Sequence, residues 1–519
     1  MIRKSILSFV CLLIGMQLWA QNPILPPTAF IPDGEPHIFE LNGEKRLFLY
    51  GSRDQFVTSY CGEGHDVWSA PLDDLTNWTC HGEIFHIRQV QAIGYGKVKG
   101  QHFGAPDCVY NPVTRKYYLY TFLGASYKMD GTEGPLLGTS GAVSGYGENG
   151  PKCVMAVSDS PIGPFKDPVM CDWPPINDKG TFDPSVLVYN QPDGSVRVYA
   201  YWGMVKGDSW AELDPEDMHT IIDGKTRKPD RRACYRTLNN PVLNNHSALF
   251  EASSIKQVAE DKFVFIYSAL ERISALSYCY SNSPEGPWTY GGVIINNGDG
   301  WKGGNNHGSI VQVNGQWYVC YHRKTTNDYN RQAMMEPIDL KIEGDKVIIP
   351  QVEMTSQGVC TNGLNAFDKI NMYRACYTNG SYIDGAQRNE DGLNPMVNLK
   401  NGNVVGFKYL NFGDEAKIKK IKLRLNIEVL QDVEVTVQVA LPQEANLMEK
   451  RVDVASFQLK ANQNKKGKYQ EVLIPIKNLS KNKSLNAIGG LVGKKALFFT
   501  FKGKIGEELC RIKEYTLEK

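Results

Sequence analysis

The chain has 519 residues, room for two to four domains at roughly 150 residues each. Lys and Arg number 57 against 56 Asp and Glu, a formal net charge of +1, so no field of one sign gathers nucleic acid or anionic lipid. No long apolar run follows the first 20 residues, which excludes a polytopic helical membrane protein; 49 Gly, 27 Pro, 26 Tyr, 20 Phe and 9 Trp favour turns and short strands.

At the start, Arg3 and Lys4 precede an apolar stretch from Ile6 to Trp19, then Ala20-Gln21. This reads as a secretory signal over residues 1–20, so export to the periplasm or the medium is expected, without membrane insertion. The cysteines beyond Cys11 are odd in number and scattered, with no CxxC pair. They read as small core hydrophobes, with one or two bridges left open.

Five copies of one strand pattern follow: Arg46–Tyr50, Lys116–Tyr120, Val196–Tyr201, Lys262–Tyr267 and Gln316–Tyr321. Each is rich in aromatic and β-branched residues. Asn42-Gly43, Asn111-Pro112, Pro192-Asp193-Gly194 and Asn314-Gly315 supply turns ahead of four of them; Glu260-Asp261 is the weaker fourth turn. Ahead of the turns lie Pro36–Leu41, Cys108–Tyr110, Ser185–Tyr189, Ser253–Val258 and Ser309–Val313, completing five hairpins. A phrase also recurs, Ser158-Asp-Ser-Pro-Ile-Gly-Pro-Phe165 and Ser281-Asn-Ser-Pro-Glu-Gly-Pro-Trp288. Antiparallel repeats of this size predict a five-bladed β-propeller over residues 25–355. A pair of sandwiches would not explain why the hairpins keep one form.

In a propeller the first strand of each blade lines the axis. The residues that begin those strands are Asp33 (or Glu35), Asp107, Asp183, Glu251 and His307. Four carboxylates and a histidine at one relative position are expected to raise one another's pKa and hold protons near neutrality, as general acid–base work requires. The chain has no GxSxG or HExxH motif, and Gly298–Gly304 lacks the Lys-Ser/Thr ending of a phosphate loop. Paired carboxylates with aromatics nearby fit glycosidic bond cleavage.

These residues resemble glycoside hydrolase family 43, over roughly residues 25 to 355. Phe103-Gly-Ala-Pro-Asp-Cys-Val-Tyr110, Thr181-Phe-Asp-Pro-Ser-Val-Leu187, Phe250-Glu-Ala-Ser-Ser-Ile255, Asn305-Asn-His-Gly-Ser-Ile310 and Asn330-Arg-Gln-Ala-Met-Met-Glu-Pro337 stand in the family's order. The resemblance implies an inverting hydrolase with Asp183 as pKa modulator and Glu251 as acid. It implies Arg331 as a substrate contact. It also implies His307 beside a hard cation such as calcium, mostly water-ligated, and no organic cofactor. The family's Asp-Pro base phrase is replaced by Ile31-Pro-Asp-Gly-Glu-Pro-His37, so Asp33 is taken as base and Glu35 as the alternative. An inverting pair stands about 6.5–9.5 Å apart. Asp54, Trp68, Asp107 and Trp202 complete the expected substrate contacts.

After Gln357 the composition changes. Ile418–Leu425, Val433–Val439, Gln470–Ile476 and Ala496–Phe501 alternate apolar and polar residues, the pattern of an antiparallel sandwich. Residues 360–519 resemble the family 6 carbohydrate-binding modules, β-jelly rolls that follow such propellers, through Gly402–Gly413 and Gly493–Gly503. The fold expected is therefore all-β, a five-bladed β-propeller followed by a β-sandwich. The function expected is an exported, monomeric glycoside hydrolase acting on plant-type polysaccharides or oligosaccharides. α-L-Arabinofuranosyl units rank first and β-xylosyl units second. The rival readings are an exo-galactosidase of the same fold and a non-catalytic carbohydrate-binding propeller.

Overall fold

A computed structural model describes residues 21–95, 102–124, 152–174, 180–204, 208–236, 248–385, 388–414, 418, 420–462 and 467–519. The signal-like segment 1–20 lies outside the described residues.

The chain is almost entirely β. Five antiparallel sheets follow one another, each hydrogen-bonded in sequence order. The first holds Glu35–Leu41, Glu44–Tyr50, Gly64–Pro71 and Thr79–His86; the second Phe103–Asn111, Lys116–Leu123, Lys152–Ser158 and Lys166–Met170. The third holds Ser185–Asn190, Val196–Gly203, Asp208–Leu213 and Cys234–Arg236; the fourth Leu249–Ala259, Lys262–Ala269, Arg272–Ser281 and Thr289–Asn296. The fifth has three strands, Ser309–Val313, Gln316–Lys324 and Arg331–Ile338, and Ile24 N–H donates to Ala333 O along its outer edge. All five sequence-predicted hairpins are present. Asn42-Gly43 and Asn314-Gly315 each turn in two residues with positive φ, the geometry a tight hairpin of this hand requires.

The first strand of each sheet contacts the first strand of the next, and the fifth returns to the first. A parallel bridge between Gly34 and Gly308 marks that return. Gly308 must be glycine there, because a Cβ would fall 1.9 Å from Cys320 O. Separate apolar clusters fill the spaces between neighbouring sheets. Phe48, Tyr50, Phe103 and Leu119 join the first to the second, Tyr120, Trp173, Val198 and Trp202 the second to the third, and Tyr201, Phe265 and Trp288 the third to the fourth. Tyrosines at the ends of second strands add polar ties. Tyr50 OH donates to Pro161 O, and Tyr201 OH to Pro284 O, each in the recurring Ser-Pro phrase.

Beyond residue 360 two six-stranded sheets share one core. One contains Val404–Asn411, Val433–Ala440, Val452–Leu459 and Lys494–Gly503; the other contains Met396–Leu399, Ile421–Val429, Gln470–Ile476 and Cys510–Glu518. Along Val433–Ala440 burial alternates as the apolar period predicts. Phe407, Val435 and Phe499 meet Leu425, Ile512 and Tyr515, and the same cluster runs on into the fourth and fifth sheets. The buried Arg323 guanidinium crosses that junction, donating to Tyr373 O and Ala375 O while lying 4.2 Å over the Trp301 ring. No disulfide joins the described cysteines, and eight of the eleven are buried.

Candidate active site

The starts of the first strands do converge, and backbone geometry sets their layers. Asp33, Ala105 and Asp183 each adopt a left-handed φ, 58°, 42° and 47°, two residues before Glu35, Asp107 and Ser185; Ala105 does so at a register break within Phe103–Asn111. The Gly34–Gly308 bridge puts His307 level with Asp33. Asp33, Asp183, Glu251 and His307 are all buried. His307 Nδ1 lies 3.6 Å from Asp183 Oδ2 and 3.9 Å from Asp33 Oδ1.

Arg331 enters this layer from the start of the fifth sheet's outer strand. Its Nε and Nη2 fork onto the two oxygens of Asp54 at 2.9 Å each, while Nη1 donates to Asp33 Oδ1 at 2.8 Å and Asn305 Oδ1 at 3.0 Å. Asn305 Nδ2 in turn donates to Glu251 Oε1. Asn305 therefore connects Glu251 to the cation that holds Asp33. On the other side of Asp33, His322 Nδ1 lies 3.3 Å from the Asp33 backbone N and 3.2 Å from Asp33 Oδ1, with Nε2 2.9 Å from Asn305 O.

The arrangement sets the carboxyls apart. Burial pushes the Asp33 carboxyl up, but the Arg331 guanidinium and His322 outweigh it and hold it below the usual carboxylate range. Glu251 has no such cation bonded to it; burial and the Asp33 charge push it up to about 7. Burial, then the charges of Glu251 and Asp33, push Asp183 well up, although its Oδ2 accepts the Ala252 N–H at 2.7 Å. Burial pushes His307 down to about 4. At neutral pH the layer thus holds one fixed carboxylate beside carboxyls able to carry a proton, the division of labour an acid and a base need.

Two expected members lie elsewhere. Glu35 and Asp107 occupy the next layer along the same strands, two residues on. Glu35 Oε2 is 3.0 Å from Lys256 Nζ, and Asp107 binds His37 Nε2 at 2.7 Å and accepts the Val186 N–H at 2.7 Å. Asp107 is therefore an internal tie between sheets, not a substrate contact. The true counterpart of Asp33 and Asp183 in the second sheet is Ala105, since Ala105-Pro106-Asp107 aligns with Asp183-Pro184-Ser185. Glu35 pairs with Lys256, whereas Asp33 is joined to Arg331 and, through Asn305, to Glu251, which makes Asp33 the base candidate. Trp202 and Trp68 also depart from expectation. Trp202 is wholly buried, stacked 5.0 Å from Trp173 with Nε1 donating to Pro174 O. Trp68 packs into the apolar cluster between the fifth and first sheets. Trp202 is a core residue, and Trp68 is half-buried against a core.

The model of "Glycosyl hydrolases family 43" matches residues 21–345. A xylosidase/arabinosidase of Thermoclostridium stercorarium is 31% identical over 78% of this chain and 85% of its own length. The chain belongs to glycosyl hydrolases family 43. It is a glycoside hydrolase. An arabinoxylan arabinofuranohydrolase of Paenibacillus polymyxa is 23% identical over 82% of this chain and 69% of its own. A solved family 43 arabinoxylan arabinofuranohydrolase from Bacillus subtilis, in complex with cellotetraose, is 19% identical over 96% of this chain and 97% of that one, with a TM-score of 0.46.

Three polar or aromatic residues of this family 43 site escaped the sequence reading of roles. Asn305 stood inside the His307 phrase and His322 directly follows the fifth repeat, so both carried a positional signal. Tyr60, whose ring lies 4.7 Å from the Arg331 guanidinium, carried none. The cation expected beside His307 is mostly water-ligated and asks few donors of the protein. A calcium ion takes six to eight oxygens, whereas the carboxylates facing His307 are Asp183 and the Arg331-bound Asp33. Among the described residues the one trio with converging donor atoms is Glu35, His37 and Asp107, and the Lys256 ammonium sits against it, 3.4 Å from His37 Nε2. A calcium ion beside His307 would therefore take most of its ligands from water.

Proposed function

We propose that this family 43 enzyme is a five-bladed β-propeller followed by a β-sandwich. In this reading it is exported and removes terminal α-L-arabinofuranosyl units, with β-xylosyl units second, from arabinoxylan-type polysaccharides or oligosaccharides with inversion. The ring of contacting first strands supports the propeller, and two sheets over one core support the sandwich. The relatives, a xylosidase/arabinosidase and an arabinoxylan arabinofuranohydrolase, support the substrate class. The basic, then apolar, leader supports export.

The opposite setting of Asp33 and Glu251 carries the mechanism. Asp33, ionised beside Arg331, takes a proton from water as its oxygen attacks the anomeric carbon. The C–O bond pair leaves on the glycosidic oxygen, which takes the Glu251 proton. Asp33 ends protonated and Glu251 ionised, and exchange with solvent resets both. Asp183 titrates with Glu251 as an interacting pair and sustains the acid's proton towards neutrality. No step is routed through a metal.

The test is hydrolysis of 4-nitrophenyl α-L-arabinofuranoside, β-D-xyloside and β-D-galactoside, with proton NMR of the first-formed anomer. The expected result is arabinofuranoside cleavage with inverted configuration. A retained anomer overturns the mechanism, and a preference for galactoside overturns the substrate.

A further inference from the structure

The segment after Tyr382–Ile383, contributed by the region beyond residue 360, reaches back over the rim of the catalytic layer. Gly385 and Gly392 fix its approach. A Cβ on Gly385 would lie 2.7 Å from the Thr326 carbonyl carbon, and one on Gly392 would lie 2.6 Å from that of Pro27. Asn327 Nδ2 donates to both Gly385 O, at 2.9 Å, and Val57 O, at 3.3 Å.

Arg388 is the chief contact. Its Nη1 donates to Gln55 O at 3.1 Å and its Nη2 to Phe56 O at 3.2 Å. Nε and Nη2 meet Asn330 Oδ1 at 2.8 and 2.6 Å, and Nη2 reaches Tyr329 O at 3.4 Å. The guanidinium plane rests 4.2 Å from the Phe30 ring. The carbonyls of Gln55 and Phe56 directly follow Asp54; Tyr329 and Asn330 directly precede Arg331. One rigid, permanently charged fork thus binds two loops, each ending at one member of the Asp54–Arg331 pair.

We propose that Arg388 is a positioning residue of the active site. By clamping the loop after Asp54 to the loop before Arg331, it sets the Arg331 fork, and through it the Asp33 carboxylate. The C-terminal region then completes the catalytic machinery and is more than an appended module. This rests on the hydrolase reading above for its effect on turnover, whereas the clamp itself does not depend on the substrate.

The experiment compares wild type with Arg388→Ala, Arg388→Lys and Lys408→Met. Lys408 pairs with Glu353 at 2.8 Å in the same inter-region junction, outside the catalytic cluster, so Lys408→Met controls for loosened docking alone. The first readout is kcat/KM on 4-nitrophenyl α-L-arabinofuranoside across pH. Arg388→Ala is expected to lose fivefold or more, with its acid limb moved to higher pH as Asp33 loses its fixed partner. Arg388→Lys, whose point charge cannot span both loops, recovers less than half of that loss, and Lys408→Met stays within twofold of wild type.

The second readout is iodoacetamide alkylation mapped by mass spectrometry. Cys61 is buried on the Asp54 loop, with Arg331 Nη2 3.6 Å from its sulfur. It should react at least tenfold faster in Arg388→Ala and Arg388→Lys, while the buried Cys320 and Cys510 remain protected. Unchanged Cys61 reactivity, a loss of kcat/KM below fivefold, or an equal loss in Lys408→Met overturns the proposal. Should Arg388→Ala fail to fold, Arg388→Lys is read by the same limits. If wild type does not cleave the aryl arabinofuranoside, the substrate reading fails and Cys61 reactivity alone decides the clamp.

Discussion

Two layers of side chains, two residues apart on the same strands, use the same chemistry to opposite ends. The first holds Asp33, Asp183, Glu251 and His307; the second holds Glu35, His37 and Asp107. Both are carboxylate–histidine clusters with buried carboxyls, so composition does not separate them. The cation does. Arg331 spends its planar fork on Asp54 and Asp33 and leaves Glu251 without a cation bonded to it. Lys256 is a compact ammonium set against Glu35, His37 and the Pro36 carbonyl. Burial pushes Glu35 up, whereas His37 and Lys256 hold Asp107 down against the same burial, so that cluster is largely self-neutralised. Both layers thus pair a raised carboxyl with a lowered one, but in the second the cation contacts the raised carboxyl itself, whereas in the first Arg331 bonds only Asp33 and Asp54 and leaves Glu251 free of it.

The sharpest way to break this contrast is to remove the two unlike carboxyls. Positioned acid–base groups contribute about 10²–10⁴-fold, so Glu251→Gln and Asp33→Asn should each reduce kcat/KM on an unactivated arabinoxylan oligosaccharide by that order. Glu251→Gln should lose far less on a 4-nitrophenyl substrate, whose leaving group needs no proton. Because Glu251 must carry its proton, kcat/KM should fall as pH rises through about 7. The acid limb, set by Asp33, should lie below the usual carboxylate range. An alkaline limb more than two pH units above 7 would remove Glu251 from the acid's role.

Arg331→Lys keeps the charge and loses the fork. One ammonium cannot satisfy both oxygens of Asp54 and still reach Asp33. Disturbing one partner of a buried, hydrogen-bonded charge pair costs about 2–5 kcal/mol, which makes a loss of kcat/KM of ~30-fold or more the expected result. The acid limb should also move to higher pH as Asp33 is released. A profile that keeps its shape would mean that Arg331 binds substrate without setting the base.

Lys256→Met tests the other layer. It leaves Glu35 and Asp107 without their ammonium, a change that costs about 3–5 kcal/mol when one partner of a buried pair is removed. The expected readout is a lower melting temperature with kcat/KM at 25 °C within a few fold of wild type. Millimolar zinc or calcium should recover part of the lost melting temperature in the variant, because the bared trio has converging donor atoms. If neither metal recovers any of the lost melting temperature in the variant, the bared trio does not bind a cation.

Much of this was legible in the chain because local rules and tertiary placement agreed. The hairpins declared themselves through period-two apolar strands and Asn-Gly turns. Asp33, Asp183, Glu251, His307 and Arg331 sat at strand starts, where the repeat fixes position. The error at Asp107 has a plain physical origin. A two-residue shift along a strand keeps a side chain on the same face, so alternation cannot detect it. What fixes the layer is the left-handed residue near the strand start, at Asp33, Ala105 and Asp183, and an alanine there gives no chemical signal. Trp202 misled for a different reason, since indoles that fill inter-sheet cores and indoles that meet sugars share one composition. Asn305 gained its role only from distance, by standing between Glu251 and Arg331.

That register can be tested where the effect is smallest. Ala105→Asp adds a carboxyl to the catalytic layer at a backbone conformation that aspartate tolerates. Its surroundings are apolar, with Phe122, Phe182 and Met204 packed against it. Burial should therefore keep the new group protonated at neutral pH, and kcat/KM should change only a few fold. Any ionisation it does undergo adds negative charge near Glu251, so the alkaline limb should rise, by less than about one pH unit. Asp107→Asn makes the reciprocal case. It should weaken the ties to His37 and Val186 and lower the melting temperature, while the alkaline limb stays where it was. If Asp107→Asn moves that limb and Ala105→Asp does not, the two layers have been assigned the wrong way round, and the aspartate of the second sheet belongs to the catalytic layer after all.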